Sequence, residues 1–285
     1  MPEIIPSTMR LYILSFLAIC LSSVTGYSQS PTIMTYNIKY DNVNDTVNNW
    51  NDRKSSMVEL IVTEAPDVVG MQEVLHNQLN YLNEELSGYD YVGVGREDGK
   101  QKGEYSPILY QKEKYELLKS NTFWLSKTPD QISVGWDAAL ERICTYALLK
   151  EKSTDKEFYV FNTHFDHRGD KARKKSVKLI LKKIDAINTQ DLPVVLMGDL
   201  NLSPEKKSIQ YLSKKMTDGL EVAKSKNEGP SGTFNGFNLQ DPITQRIDYI
   251  FTRGFSVSSY EHIDERLKSG KHISDHLPVK AELVR

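Results

Sequence analysis

Apolar residues form short alternating or unbroken runs along most of the chain, and such runs predict β-strands. The predicted strands lie, in chain order, in PTIMTYNIKY (31–40), DVVGMQEV (67–74), YDYVGVG (89–95), YSPILYQ (105–111), YELLKSNTFWLS (115–126), RICTYALLK (142–150), EFYVFNTHF (157–165), LPVVLMGDLN (192–201), QRIDYIFTRG (245–254), FSVSSYEHI (255–263) and LPVKAELV (277–284). The pattern therefore indicates a chain built mainly on β-sheet.

Helical periodicity separates some of these strands. In KARKKSVKLILKKIDAIN, at 171–188, apolar residues recur at intervals of three and four positions, which predicts one buried helix face. Further helices are predicted over 53–65, 77–86 and 204–212, the last with Ser203 as N-cap and Pro204 at its first position. Many strands with a few helices predict an α/β fold of two packed sheets covered by helices. No internal repeat or linker follows residue 31, so residues 31–285 are expected to form one domain.

The N-terminal segment differs from the rest of the chain. Arg10 precedes the apolar run LYILSFLAICLSSVTG and then small residues, which is typical of a secretory signal peptide. We expect residues 1–28 to be removed and the protein to be periplasmic or secreted. Lipid attachment at Cys20 is an alternative, although the preceding Ile19 is larger than such a site usually accepts. A membrane anchor is disfavoured because the run is short for a membrane span.

The charge balance and the cysteine content restrict the possible functions. The chain has 36 Lys and Arg residues against 38 Asp and Glu, a net charge of −2 at pH 7. Proteins that bind nucleic acid through its backbone are usually basic, so no such protein-wide affinity is expected, although local patches stay possible. Only Cys144 follows residue 28, which excludes an intramolecular disulfide and a Cys-rich zinc site in the mature chain.

Polar side chains stand at the ends of six predicted strands, where a buried run does not need them. They are Asn37, Glu73, His164, the pair Asp199 and Asn201, Asp248, and the pair Asp275 and His276. Each has an ordinary structural explanation when taken alone: a turn, a helix start, a core histidine, or an ion pair of Asp248 with Arg246 or Arg253. Together they are explained more simply by one polar cluster at a sheet edge.

The ordered motifs Asn37, QE, NTH, GDLN, IDY and SDH resemble those of the endonuclease/exonuclease/phosphatase superfamily, from about residue 31 to the C-terminus. The resemblance implies an α/β four-layer sandwich of two packed, mostly antiparallel sheets flanked by helices. It also implies hydrolysis of a phosphate ester by water with Mg²⁺ or Mn²⁺, cations that prefer hard carboxylate and amide oxygens.

The same resemblance implies a role for each motif residue. Glu73 is the expected principal metal ligand, with Asn37 beside it and Asp275 near a metal or its water. Asp199 is expected to activate the attacking water, and Asn201 to hold the phosphate or that water. His164 and His276 are expected to donate hydrogen bonds to phosphate oxygens. Asp248 is expected to pair with His276 and orient its ring.

Substrate choice in this superfamily is set by loops, and here the sequence leaves alternatives. The Gly-rich segment 93–110 either brings Arg96, Glu104 or Tyr105 to the site or is a solvated hairpin, and Arg142 faces either the phosphate or an ion-pair partner. The His of NTH is characteristic of the branch with deadenylases, sphingomyelinases and phosphatases. We therefore expect an exported phosphodiesterase or phosphatase, monomeric and without an obligate protein partner. A secreted nuclease and a catalytically silent binding module are the alternatives.

Overall fold

A computed structural model describes residue 1 and residues 30–226 and 229–285. Two mixed β-sheets pack face to face at its centre. The seven-stranded sheet has the order β10-β12-β13-β1-β2-β4-β3, and the six-stranded sheet the order β5-β6-β7-β8-β11-β9. The strands are β1 Thr32–Asn37, β2 Val68–Gln72, β3 Tyr89–Val92, β4 Ile108–Gln111, β5 Tyr115–Trp124, β6 Ile143–Glu151, β7 Glu157–His164, β8 Val194–Asp199, β9 Thr217–Asp218, β10 Ser225–Lys226, β11 Asp248–Arg253, β12 Ser256–His262 and β13 Val279–Val284.

Helices cover the outer faces of both sheets and complete four layers. They are α1 Trp50–Glu64, α2 His76–Glu85, α3 Asp170–Ile187, α4 Lys207–Ser213 and the short α5 Gly219–Val222. Alternation along β1 shows how the layers form, because Ile33 packs between the sheets whereas Met34 packs against α1 and α2. On the other side, Ile180 and Ile184 of α3 pack against the six-stranded sheet. The predicted four-layer α/β sandwich is confirmed.

The predicted strands are all present, and pairing is antiparallel except between β1 and β2, β7 and β8, and β10 and β12. The predicted start of the fourth helix is wrong. It begins at Lys207, because Ser203 hydrogen-bonds the side chain of Glu205 and its carbonyl accepts from Lys206 in a turn. The predicted signal peptide lies, apart from Met1, outside the described residues. No helix within the described ranges is long and apolar enough to cross a membrane.

A buried amide pair joins the two sheets beneath the edge at which the polar strand ends lie. Gln72 at the end of β2 donates from Nε2 to Asn162 Oδ1 of β7 at 2.7 Å. Asn162 Nδ2 in turn donates to the carbonyls of Met71 at 2.7 Å and Pro107 at 2.8 Å, in the seven-stranded sheet. Buried polar groups are stable only when paired, so these bonds hold the sheets in a fixed relative position at this edge.

Strand register brings the polar strand ends to that edge. In the parallel pair β7 and β8, His164 lies opposite Asp199, and in the antiparallel pair of β8 with β11, Asp248 also lies opposite Asp199. In the other sheet, Asn37 of β1 lies opposite Gln72, the residue before Glu73. Both sheets therefore contribute side chains to one site.

Candidate active site

A cleft of about 480 Å³ opens where the polar strand ends meet. Six of the eight predicted site residues line it: Glu73, His164, Asp199, Asn201, Asp275 and His276. The other two, Asn37 and Asp248, are fully buried and hydrogen-bond to residues in that set. The structure therefore brings together all eight residues that the sequence motifs predicted.

The backbone turns sharply where the strands leave the sheets. Lys39 and Glu73 have φ angles of 57° and 60°, and Asn201 has a φ of 48°. Such left-handed conformations are uncommon for residues with a Cβ and gather at functional sites. In GDLN, Gly198 has a φ of 141°, and a Cβ there would lie 1.9 Å from the carbonyl oxygen of Thr163. Glycine is therefore required at this position for the two parallel strands to approach.

Glu73 forms an acidic pair with Asp275. Glu73 Oε1 accepts a hydrogen bond from Asn37 Nδ2, and Oε2 accepts one from the backbone N–H of Tyr40, both at 3.2 Å. The ammonium nitrogen of Lys39 lies 3.5 Å from Glu73 Oε2 and 3.2 Å from Asp275 Oδ2. Burial disfavours the charged form of Glu73. The charges of Lys39 and His276 and the hydrogen bonds from Tyr40 and Asn37 together outweigh burial and hold the pKa of this carboxyl below its ordinary value.

Asp199 occupies the centre of the site. Its Oδ2 accepts from Asn37 Nδ2 at 3.1 Å and lies 3.4 Å from His164 Nε2 and 3.8 Å from His276 Nε2. Its Oδ1 accepts from the backbone N–H of Asn201 at 2.8 Å. This carboxylate thus touches groups from both sheets and is held in one orientation.

His276 is held by a buried carboxylate. Its Nδ1 donates to Asp248 Oδ2 at 2.9 Å, and the hydroxyl of Thr233 donates to the same oxygen at 2.5 Å. Burial disfavours the imidazolium, but Asp248, with a smaller contribution from Asp199, raises the pKa of His276 to about 10. The ring of Phe234 packs edge-on against it with the centroids 5.0 Å apart. His276 is therefore charged at neutral pH, and its Nε2–H lies on the cleft side.

His164 is neutral and contacts Asn201. Asn201 Nδ2 donates to the carbonyl of Phe165 at 3.0 Å, which fixes the amide orientation, and the same nitrogen lies 3.1 Å from His164 Nε2. Nε2 is therefore the acceptor, and the ring proton is on Nδ1. Burial, followed by the charges of Arg142 and Arg96, holds the pKa of His164 well below its ordinary value, so the ring is neutral. In this arrangement His164 orients Asn201 through Nε2, and the proton on Nδ1 has no hydrogen-bond partner among the described residues.

The acidic side of the cleft fits a divalent metal. Lys39 Nζ places a cation between the carboxylates of Glu73 and Asp275, where hard oxygen donors converge. Asn37 presents Nδ2 to Glu73, while its Oδ1 accepts from the backbone N–H of Lys39 at 3.1 Å. The predicted ligand role of Asn37 thus requires rotation of its amide, which would turn Oδ1 toward Glu73.

A second acidic group within the described chain fits a metal less well. Asp199, Asp248 and His276 offer ligand atoms within 4.8 Å of one another. However, His276 Nδ1 and Asp248 Oδ2 are already bonded to each other, and a charged imidazolium has no lone pair for a metal. The carboxylates of Glu73 and Asp275 therefore fit a divalent metal better than this second group does.

Beside His164 lies a further polar group, here called the Glu104 cluster: Arg96, Glu104, Arg142 and His167. Glu104 Oε2 accepts from Arg96 NH1 at 2.7 Å and lies 4.0 Å from Arg142 NH1. Arg142 NH2 donates to His167 Nδ1 at 3.0 Å, and Arg142 Nε lies 3.5 Å from Asp166 Oδ2. Glu104, Arg142 and His167 line the cleft. The segment 93–110 therefore contributes to the site and is not merely a solvated hairpin.

Tyr105, from the same segment, does not line the cleft. Its hydroxyl donates to the carbonyl of Lys100 at 2.8 Å and lies 3.1 Å from His76 Nδ1. The alternative ion pairs proposed for Asp248 are also absent from the described residues, because Arg246 pairs with Asp218 and Arg253 with Asp185.

Sequence reasoning missed several residues of the site. Lys39 carried a weak signal, a basic residue two positions after a polar strand end. Thr233 and Phe234 lie in SGTFNG, which has only the signature of a turn. Asn162 stood inside the NTH motif, but its function as a bridge between the sheets depends on tertiary packing and leaves no periodic signal.

Comparison with known proteins gives close relatives over most of the chain. A structure from Bacteroides vulgatus described as an endonuclease/exonuclease/phosphatase is 41% identical, with a TM-score of 0.84, over 90% of this chain and 98% of that one. The mannosyl-6-phosphatase Bt3783 of Bacteroides thetaiotaomicron VPI-5482 is 37% identical, with a TM-score of 0.86, over 90% and 100%. An uncharacterized protein of Acanthamoeba polyphaga mimivirus is 30% identical over 82% of this chain and 92% of its own.

The sequence model of the Endonuclease/Exonuclease/phosphatase family matches residues 34–276, which include every motif residue described above. Members of this family hydrolyse phosphoesters, and the cleft holds the residue types that such a reaction needs. The chain belongs to the endonuclease/exonuclease/phosphatase family.

Proposed function

We propose that this protein is an exported, Mg²⁺- or Mn²⁺-dependent hydrolase of phosphate esters, with phosphomonoesters as its main substrates. One observation carries the proposal: the carboxylate of Asp199 lies 3.8 Å from the charged His276 and shares the hydrogen-bonding amide of Asn37 with Glu73. A base for water, a cationic phosphate donor and an acidic metal site are thus within one cleft.

The reaction follows from these positions. Asp199 takes a proton from a water molecule as the water oxygen bonds to phosphorus and the bond from phosphorus to the ester oxygen breaks. His276 donates from Nε2 to a phosphate oxygen, and this hydrogen bond strengthens as negative charge grows. Asn201, oriented by His164, holds the water or the phosphate in line. A metal held by Glu73 and Asp275 would supply a Lewis acid for the phosphate and for the leaving oxygen.

Two observations support a phosphomonoesterase over a nuclease. The relative at 37% identity is named a mannosyl-6-phosphatase, and the formal net charge of −2 does not favour the long basic groove that a nucleic-acid backbone requires. The alternative of a silent binding module is disfavoured because the base, the cationic donor and the acidic pair are all present. Export is supported by the predicted signal peptide.

The experiment that tests this function is release of phosphate or p-nitrophenol by the purified protein. Substrates are p-nitrophenyl phosphate, bis-p-nitrophenyl phosphate, mannose 6-phosphate, RNA and single-stranded DNA, each with Mg²⁺, Mn²⁺ or EDTA. We expect metal-dependent turnover of the monoesters that is lost in Asp199→Asn. Faster cleavage of RNA or DNA would establish the nuclease instead. N-terminal sequencing of exported protein should begin at Gln29.

A further inference from the structure

The Glu104 cluster and the adjacent His164 have hydrogen-bonding atoms without a partner at the cleft wall. Arg142 NH1 and His164 Nδ1 are buried and have no hydrogen-bond partner in the parts of the chain that the structure describes. Glu104 is half-buried, lines the cleft and uses Oε2 in its hydrogen bond to Arg96, which leaves Oε1 without a bond from the described residues. A buried unpaired polar atom costs free energy, so Arg142 NH1 and His164 Nδ1 require a partner that the described protein atoms do not supply, either water or a bound molecule.

The free atoms include both donors and an acceptor. Arg142 NH1 and His164 Nδ1 donate, whereas Glu104 Oε1 accepts. His167 adds another donor, because its Nδ1 accepts from Arg142 and its neutral ring carries the remaining proton on Nε2. Burial, followed by the charge of Arg142, lowers the pKa of His167, in agreement with a neutral ring. A hydroxyl group, which donates and accepts, complements such a set.

The formal charge of this region distinguishes hydroxyl recognition from anion recognition. The guanidinium of Arg96 is paired with Glu104, and that of Arg142 lies 3.5 Å from Asp166. The carboxylates thus offset the two cationic charges, and Glu104 would repel a second phosphate. A neutral polyhydroxyl group meets no such repulsion and is able to bond with donors and acceptor together.

The loop is built to hold Glu104 in place. The backbone N–H of Arg96 donates to the carbonyl of Glu104 at 3.1 Å, and Trp124 Nε1 donates to the carbonyl of Arg96 at 2.7 Å. Gly95 packs so closely that a Cβ would lie 2.2 Å from the carbonyl oxygen of Lys102. The carboxylate therefore has little freedom, which is expected of a preorganised binding group.

We propose that Glu104, Arg142 and His167 form a subsite, next to the phosphate centre, that binds the hydroxyl groups of a sugar attached to the phosphate. This inference rests on the proposed phosphomonoesterase function and assigns its leaving group. The sugar is either a hexose or the ribose of a nucleotide, because both carry several neighbouring hydroxyl groups that donate and accept hydrogen bonds.

The test compares substrates that differ in the leaving group. Phosphate release from mannose 6-phosphate, adenosine 5′-monophosphate and butyl phosphate is measured with the full protein and Mg²⁺ or Mn²⁺. Butyl phosphate has an alkyl leaving group without hydroxyls. Glu104→Gln keeps the size of the side chain but replaces the charged acceptor, and Glu97→Gln, exposed on the same loop, is the control.

We expect Glu104→Gln to lower kcat/KM for a sugar phosphate roughly tenfold or more beyond its effect on butyl phosphate, since hydrogen bonds to charged groups are strong. Glu97→Gln should change neither value. The sugar ester with the larger loss identifies hexose or ribose. Equal losses on sugar and alkyl esters would overturn the subsite but not the hydrolase. Absence of turnover of all three esters would instead overturn the proposed function, and the subsite with it.

The midpoint temperature of thermal unfolding of Glu104→Gln shows whether the substitution destabilises the fold. If the unfolding midpoint is unchanged and kcat/KM falls equally for the sugar and alkyl esters, the proposal is contradicted. If the midpoint falls, Glu104→Asp provides the second comparison, because it retains the charge near both guanidinium groups but shortens the reach. A fall in kcat/KM of Glu104→Asp that is larger for the sugar esters than for butyl phosphate supports the subsite. An equal fall for all three esters overturns it.

Discussion

Asp248 Oδ2 accepts a hydrogen bond from His276 Nδ1 at 2.9 Å, and both side chains are buried at the base of the cleft. The bond fixes the ring and directs Nε2 toward Asp199. It also keeps the ring protonated, because the carboxylate opposes the effect of burial. The proposed reaction depends on that charge, so we expect the buried Asp248 to affect catalysis through His276.

Asp248→Asn should shift the alkaline side of the pH–rate profile to lower pH. Asp248 raises the pKa of His276, which is about 10 in the wild type, so its replacement lowers that pKa. The charged donor is then lost as the pH rises through the new, lower pKa. We also expect kcat to fall about 10² to 10³-fold. The measurement is kcat/KM from pH 5 to about pH 10.

The matched control for that profile is Asp264→Asn. Asp264 Oδ1 lies 3.7 Å from His272 Nδ1, a carboxylate–imidazole pair outside the cleft. Its pH profile should coincide with that of the wild type. An alkaline limb unchanged in Asp248→Asn would contradict the proposed role of a charged His276.

Asp199→Asn should stabilise the metal-free protein while abolishing turnover. Burial, together with the charge of Asp248, raises the pKa of Asp199 to about 7. A carboxyl whose folded-state pKa is raised stabilises the fold most at low pH, and this contribution is lost as the pH rises through about 7. In EDTA, the variant should therefore unfold at a higher temperature than the wild type at pH 8 and show no advantage near pH 4. Calorimetry at the two pH values tests this, and a lower midpoint at pH 8 would refute it.

Lys39→Met should increase the affinity of the protein for Mn²⁺. The ammonium group lies between Glu73 and Asp275, so it competes with a divalent cation for the same oxygens. Without it, the two carboxylates repel each other, and the metal-free protein should lose stability. Titration calorimetry with Mn²⁺ measures the first effect and thermal unfolding in EDTA the second. Lys54→Met is the control, because Lys54 is a half-buried residue of α1 that does not line the cleft. Weaker Mn²⁺ binding by Lys39→Met would contradict a metal site at Glu73 and Asp275.

Asn162→Ala should destabilise the fold. The substitution removes the donor to the carbonyls of Met71 and Pro107 and leaves the amide of Gln72 with one fewer partner. Each buried group left unpaired costs about 1–3 kcal/mol. Urea unfolding measures the loss, and Ser120→Ala, exposed in the same sheet, should change the free energy of unfolding by less than about 0.5 kcal/mol.

The sequence predicted the sheets well because their signal is local. Alternation of apolar residues, as around Ile33 and Met34, records which face is buried, and polar residues at strand ends mark the functional edge. The start of α4 could not be predicted, because Ser203 has a choice of partners and bonds the side chain of Glu205 in place of a helix N–H. The N-cap preference is only a local propensity, and tertiary contacts override it.

Individual roles in the site were less predictable than its composition. The neutral state of His164 depends on the amide orientation of Asn201 and on two arginines distant in sequence. Likewise, Lys39 acquires its position only when the segment after β1 meets the loop that carries Asp275. Such relationships arise from packing between segments and have no signature in spacing or composition.

The contact of Asn37 with the SDH loop has a consequence for biosynthesis. Asn37 Nδ2 lies 3.4 Å from His276 Nε2, although 239 positions separate the two residues, and β1 pairs with β13 at the end of the fold. A nascent chain emerging from the ribosome presents Asn37 well before His276, which follows 239 positions later. The polar cluster of the cleft is therefore incomplete in any chain that ends before His276, and we expect such truncated products to be inert.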